Sequence, residues 1–201
     1  VGFVDPGTGR ATSLELGEEV ANGFAAGQDG SVYLVSVEAL YRLGADRAGR
    51  PEVRWRTEYD RGTRQKDGQA SRGSGTTPTL LPDGLVAIAD NAEPRMNVQF
   101  YDTAEGALVC QRAVFEDGES ATETALVAVG GGGVVVENNA GYTGPRRTVL
   151  GRTTPGGLAR VDVADGTCDV AWTSEVAAPS AGPRVSLETG LVYTYAKRRS
   201  L

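Results

Sequence analysis

Histidine is missing from all 201 residues. Its absence removes Ser-His-Asp and Cys-His nucleophile chemistry, and every His-ligated zinc site, from the residues present. Any reaction would have to use carboxylates, amides, hydroxyls, Tyr, Lys or Arg. Positive charge is also short: 20 Lys and Arg stand against 26 Asp and Glu, a net charge of −6. That balance lacks the electrostatic footprint of a nucleic-acid binder. No apolar run approaches the length that crosses a bilayer, so no membrane span is expected. Cysteine is limited to Cys110 and Cys168. One bridge is conceivable, but the two lie at different offsets from their nearest repeat glycines, and the spacing leaves their pairing open. No stretch carries a capped helical period. The chain opens on Val1 without a signal-peptide pattern, so an upstream segment is expected.

What the sequence does have is glycine, 28 of it, and a repeat. The segments "FVDPGTG", "LGADRAG", "FYDTAEG" and "RVDVADG" each lead through Asp into a glycine turn ending at Gly9, Gly49, Gly106 and Gly166. Successive spacings are 40, 57 and 60 residues. A second series, "DGSVYLV", "DGLVAIA", "GGVVVEN" and "TGLVYTY", places a glycine turn before an apolar run. Two registers recurring together mark a repeated supersecondary unit.

Each unit reads as four short strands, with the second apolar on both faces, as in a sheet packed between two neighbours. Repeated four-stranded units with turn signals predict an all-β fold, a β-propeller of four-stranded antiparallel blades. Full blades are expected over 20–60, 70–117 and 120–176. The end of one blade (1–19) precedes them and the start of another (177–201) follows. That makes about four blade-equivalents. Either the two halves share a blade and close a four-bladed ring, or the chain belongs to a ring of six to eight.

Strand connections alternate between the two ends of such blades. The long polar stretches 60–75, 90–96, 116–121, 137–157 and 196–200 therefore fall on one face, where binding usually resides. Asp90-Asn91 and Glu137-Asn138-Asn139 end the second strands of adjacent units, and Glu38 sits at a comparable place in an earlier one. Carboxylate and amide oxygens together suit a hard cation, so Glu137, Asn138, Asn139 and Asn91 could hold Ca²⁺. Asx residues also end strands simply by capping turns. Arg64 and Lys66, with Arg146 and Arg147 and nearby Arg72 and Arg152, form a candidate cationic patch for an anionic ligand. The glycine run 130–133 precedes a strand rather than a helix, so it reads as a hairpin and not a phosphate cradle. Trp55 and Trp172 read as blade-packing anchors.

At "FVDPGTGR", "GSVYLVSVEALYRLGAD" and "TGLVYTY" the chain resembles the quinoprotein-like (PQQ-repeat) β-propellers. The phrases "GSGTTPTLL", "VVVENNAGYTGP" and "SLETGLVYTYAK" are similar to secreted actinobacterial propeller proteins without an established activity. The resemblance implies a longer parent chain with an export signal, hence a secreted or extracytoplasmic protein. It does not bring a quinone with it. Quinoprotein dehydrogenases carry adjacent cysteines over the cofactor, whereas Cys110 and Cys168 are 58 residues apart. Two functions compete ahead of a quinone-dependent dehydrogenase. One is a non-catalytic module binding a small molecule, glycan or protein through the elaborated face. The other is a calcium-dependent lactonase or esterase similar to the gluconolactonase-type propellers, with Asp90 as candidate base.

Overall fold

A computed structural model describes residues 1–150 and 152–197. Short antiparallel strands dominate it. A hairpin of β1 (Gly2–Val4) and β2 (Ala11–Ser13) comes first. Three four-stranded sheets follow, each in sequential order. Blade A comprises β3 (Phe24–Ala26), β4 (Val32–Val35), β5 (Ala39–Ala45) and β6 (Pro51–Glu58). Blade B comprises β7 (Thr79–Leu81), β8 (Leu85–Ala89), β9 (Asn97–Asp102) and β10 (Leu108–Ala113). Blade C comprises β11 (Val127–Val129), β12 (Gly133–Glu137), β13 (Leu158–Ala164) and β14 (Thr167–Ser174). A last hairpin joins β15 (Arg184–Val185) and β16 (Val192–Tyr193).

The repeat glycines have a local cause. Gly9, Gly49, Gly106 and Gly166 all hold φ between 71° and 75°, the left-handed region that a side chain resists. In three of these turns the Asp side chain completes the bend. Asp5, Asp46 and Asp102 each accept two backbone N–H groups from residues two to four positions on. Asp162 departs from this pattern and takes the Arg160 guanidinium instead.

Burial follows strand position. β8 and β12 are buried along almost their whole length, while β6 alternates between covered and exposed positions. The apolar core is divided into layers between successive sheets. Leu34, Tyr41 and Leu43 of blade A pack against Phe3, Leu14 and Leu16. Tyr33, Val35 and Leu40 meet Val86, Ile88 and Tyr101 of blade B. Ala87, Val98 and Phe100 meet Val134, Val136 and Val161 of blade C. Val135 and Leu158 carry Val185 and Val192 of the last hairpin. Sheets stacked by such layers make the propeller arc.

The two terminal hairpins form separate two-stranded sheets, so among the described residues they do not share a blade. The closed four-bladed alternative is thereby corrected. Val4, Leu191 and Tyr193, on β1 or beside and within β16, are each more than half exposed. Of the stretch 196–200, residues 198–200 lie outside the described residues.

Trp55 anchors blade A to blade B: its indole N–H donates to the Thr103 carbonyl at 3.0 Å, and its ring lies against Gly106. Trp172 is 36% exposed.

Candidate functional site at the loop-rich face

The second strands β4, β8 and β12 end at Val35, Ala89 and Glu137, so the next two residues are Ser36-Val37, Asp90-Asn91 and Asn138-Asn139. The first residue of each pair turns the chain. Ser36 Oγ accepts the Glu38 N–H at 3.0 Å, Asp90 Oδ1 that of Ala92 at 3.2 Å, and Asn138 Oδ1 that of Ala140 at 3.1 Å. The second residue grips the linker entering its blade. The N–H groups of Val37, Asn91 and Asn139 donate to the carbonyls of Glu19, Asp60 and Ala121 at 2.9, 2.9 and 2.7 Å. Lys197 repeats this with Ala177 at 2.6 Å in the last hairpin. Glu38, expected at a comparable place, is one residue beyond the pair. It faces Arg61 at 2.8 Å and Arg56 at 3.6 Å.

These buried side chains are engaged with backbone. Asp90, 1% exposed, also accepts the Asn97 N–H at 2.6 Å, and its Oδ2 takes the Asn97 amide at 2.7 Å. Burial pushes its carboxyl up to about 6 against the pull of those donors. Asn138 Nδ2 donates to the Glu119 carbonyl at 2.8 Å. Glu137 Oε2 accepts the Gly182 N–H at 3.0 Å and the Thr124 hydroxyl at 3.3 Å, and Oε1 accepts the Ala181 N–H at 3.4 Å. Desolvation raises its carboxyl as well. Glu137 thus joins the linker before blade C to the linker after it.

Asn91 and Asn139 hold something larger. The linker from β6 to β7 crosses the face as a strap over blades B and C. Asn91 Nδ2 donates to the Arg61 and Arg64 carbonyls, each at 3.0 Å, and Asn139 Nδ2 to the Gly68 carbonyl at 2.7 Å. A Cβ on Gly62 would meet the Asn91 carbonyl, and one on Gly68 the Asn139 carbonyl. Glycine is required at both places because the strap lies directly on the strand ends.

The expected cationic patch is divided. Lys66 reaches under the strap to the Ala92 carbonyl at 2.6 Å and the Ser120 carbonyl at 3.1 Å, and burial lowers its ammonium pKa. Arg64 pairs with Glu93 at 3.2 Å. Arg146 and Arg147 lie exposed on the 3-10 turn Pro145–Thr148, where Arg147 Nε donates to Thr143 Oγ1 at 3.1 Å. Neither joins an ion pair among the described residues.

Among the described residues, no three His, Cys, Asp or Glu side chains come together as metal ligands. Of the expected calcium donors, Glu137 and Asn138 face backbone donors, whereas the Oδ1 atoms of Asn91 and Asn139 are buried without a partner. The sequence reading passed over Glu123, which walls a recess of about 590 Å³ together with Asn139 and strap residues 65–70. A larger cleft of about 750 Å³ opens between blades B and C, bordered by Arg112, Phe115, Glu116 and Glu175. The Asp60–Gly75 glycine spacing was the available signal for close backbone approach, and nothing in the sequence marked the cleft.

The outer strands β10 and β14 are tied by a disulfide between Cys110 and Cys168, with Cα atoms 5.7 Å apart. A β-bulge beside Cys110 in β10 and another in the β13–β14 pairing modify the local course of these strands.

No family model matches the chain. Over 235 aligned residues it is 27% identical to an uncharacterized protein of Archaeoglobus fulgidus, covering 98% of this chain and 46% of that one. Among solved structures it is similar to BamB from Moraxella catarrhalis, with a TM-score of 0.55 and 15% identity over 91% of this chain and 52% of that one. The chain therefore spans about half the length of either protein. No helix among the described residues is long and apolar enough to cross a membrane. At this identity the BamB likeness speaks for fold alone, and the fold is a β-propeller with four-stranded antiparallel blades, present as a partial ring.

Proposed function

We propose that this chain is part of an exported β-propeller acting as a non-catalytic binding module, which presents its loop-rich face to a small molecule, glycan or protein. The observation that carries the reading is the fate of the polar strand ends. Asp90, Glu137 and Asn138 meet backbone N–H groups, and Asn91 and Asn139 hold the strap. These roles are architectural, and they leave an elaborated face with two recesses on a rigid scaffold. The Cys110–Cys168 bridge supports export, because such bridges persist in oxidising compartments. Arg146, Arg147 and Arg152 are exposed cations on this face that join no ion pair among the described residues, and they are open to an anionic group.

The hydrolase reading ranks second, on the raised carboxyl of Asp90, which lies near the value that suits a general base. Against it, Asp90 is 1% exposed and both its oxygens already accept N–H groups of Ala92 and Asn97. A thermal melt in excess EDTA and then in excess CaCl₂ tests the choice. A binding module of this kind melts at the same temperature in both. A saturable calcium-dependent rise that disappears in Glu137→Gln would replace it with the hydrolase.

A further inference from the structure

The loop from β12 to β13 departs from the rest of the chain in charge. From Asn138 to Gly157 it contains no Asp or Glu, while Arg146, Arg147 and Arg152 give it three positive charges on a chain of net charge −6. All three are exposed, and none joins an ion pair among the described residues. Asp67 borders the recess that Arg147 and Arg152 share, without pairing with either.

The same loop turns apolar side chains outward. Leu150 is 91% exposed, more than any other large hydrophobic side chain among the described residues, and Val149 beside it is 46% exposed. The Arg152 N–H donates to the Val149 carbonyl at 3.2 Å, which sets Leu150 in the bend of a tight turn. Its φ of 54° lies in the left-handed region, where Gly and Asn are the usual residues. A leucine there carries backbone strain and leaves its side chain in water, so neither local conformation nor packing accounts for it. Such outliers gather at ligand clamps and similar sites. The turn is braced from below: Thr148 Oγ1 donates to the Pro145 carbonyl at 3.2 Å, and Arg147 Nε to Thr143 Oγ1 at 3.1 Å.

We propose that this loop docks the propeller on an anionic lipid surface. Leu150 and Val149 enter the boundary between headgroups and acyl chains, and Arg146, Arg147 and Arg152 meet lipid phosphates around them. Interfacial attachment grows with the apolar area buried and with the attraction of flanking cations to anionic lipid. Each basic side chain near such a surface strengthens it about fivefold. A soluble polyanion would use the arginines and leave Leu150 in water, so the lipid surface fits the loop better. The inference goes beyond the binding-module reading and stands without it.

The test is co-sedimentation with vesicles of phosphatidylcholine alone, and of phosphatidylcholine mixed with phosphatidylglycerol. The expected result is binding to the anionic vesicles only, weakened by added salt. Leu150→Asn should lower that binding about tenfold or more. The same variant should melt no lower than the wild type, because Asn accepts the left-handed turn. Arg146→Gln combined with Arg147→Gln should lower binding about 25-fold. Absence of binding to anionic vesicles would overturn the proposal, as would equal binding to neutral ones. So would anionic binding that Leu150→Asn leaves unchanged, and poly-glutamate competing for it would then assign the arginines to a soluble polyanion. A sharp fall in the melting temperature of Leu150→Asn would give the leucine a structural role and overturn the proposal as well.

Discussion

Asp90 gives this protein an unusual dependence of stability on pH. Its carboxyl stands at about 6 in the fold against an ordinary 3.8, because desolvation outweighs three N–H donors. A folded-state pKa raised above the unfolded value means that the native state holds the proton more tightly. Asp90 therefore contributes most to stability below the unfolded pKa, and that contribution is lost as pH rises through the folded one. The full difference is about 3 kcal/mol, of which about 1.3 kcal/mol falls between pH 5 and pH 7. Glu123 and Glu137 are raised as well and act in the same direction. Carboxyls held below their ordinary values, such as those of Glu18 and Glu93, begin to lose stability only at more acidic pH. Urea denaturation at pH 5 and pH 7 should thus find the wild type more stable at pH 5. Asp90→Asn should flatten this slope by about 1.3 kcal/mol. The substitution is tolerable because blade C already carries Asn138 at the equivalent position, with its Oδ1 accepting the same kind of N–H. Identical slopes in the two proteins would mean that the donors around Asp90 overcome its burial, and the reasoning would be wrong.

Removing the bridge with Cys110→Ser and Cys168→Ser should lower stability by up to about 4 kcal/mol on the chain-entropy account, read from urea denaturation as a fall in the midpoint with a steeper slope, because the released denatured chain exposes more surface. The separation behind that figure is 58 residues, and a loss below about 1 kcal/mol would show that the interblade core alone sets the geometry. Gly68→Ala should destabilise by about 2–4 kcal/mol, combining left-handed strain with collision against the Asn139 carbonyl. Gly118→Ala, at φ 74° with open space around it, should cost only about 1 kcal/mol in the same assay.

The blades were legible because their signals are local. An Asp that caps its own turn and a glycine held at positive φ leave a mark every few dozen residues, and doubly buried second strands leave runs such as "VVVE". What the sequence could not carry was long-range partnership. The pairing of Cys110 with Cys168 depends on how two outer strands approach across blades. The packing of Trp55 depends on a neighbouring turn, since Gly106 of blade B lies against its ring. Lys66 looked like a surface charge until the strap folded it inward onto two carbonyls. Glu38 lies two residues past Ser36 at the turn position, enough to place it in a surface ion pair instead.

The stretch 137–139 shows why the same residues suggested both a metal and a strand end. At a propeller strand end the backbone leaves its ladder while still buried, so its N–H and C=O groups need side-chain partners. Short side chains bearing oxygen and amide groups meet that need, and the same chemistry would suit a hard cation. The repeat gives the turn position an architectural role. Ser36, Asp90 and Asn138 differ in charge and size, yet each accepts the N–H two residues on. A position that works equally with a hydroxyl, a carboxylate and an amide is being asked for an oxygen near a backbone donor, not for a ligand field. At the next position the requirement changes: of Val37, Asn91, Asn139 and Lys197, it is Asn91 and Asn139 that bond the strap and keep an oxygen unpaired. Specific chemistry should therefore be sought where the blades depart from their repeat rather than where they obey it.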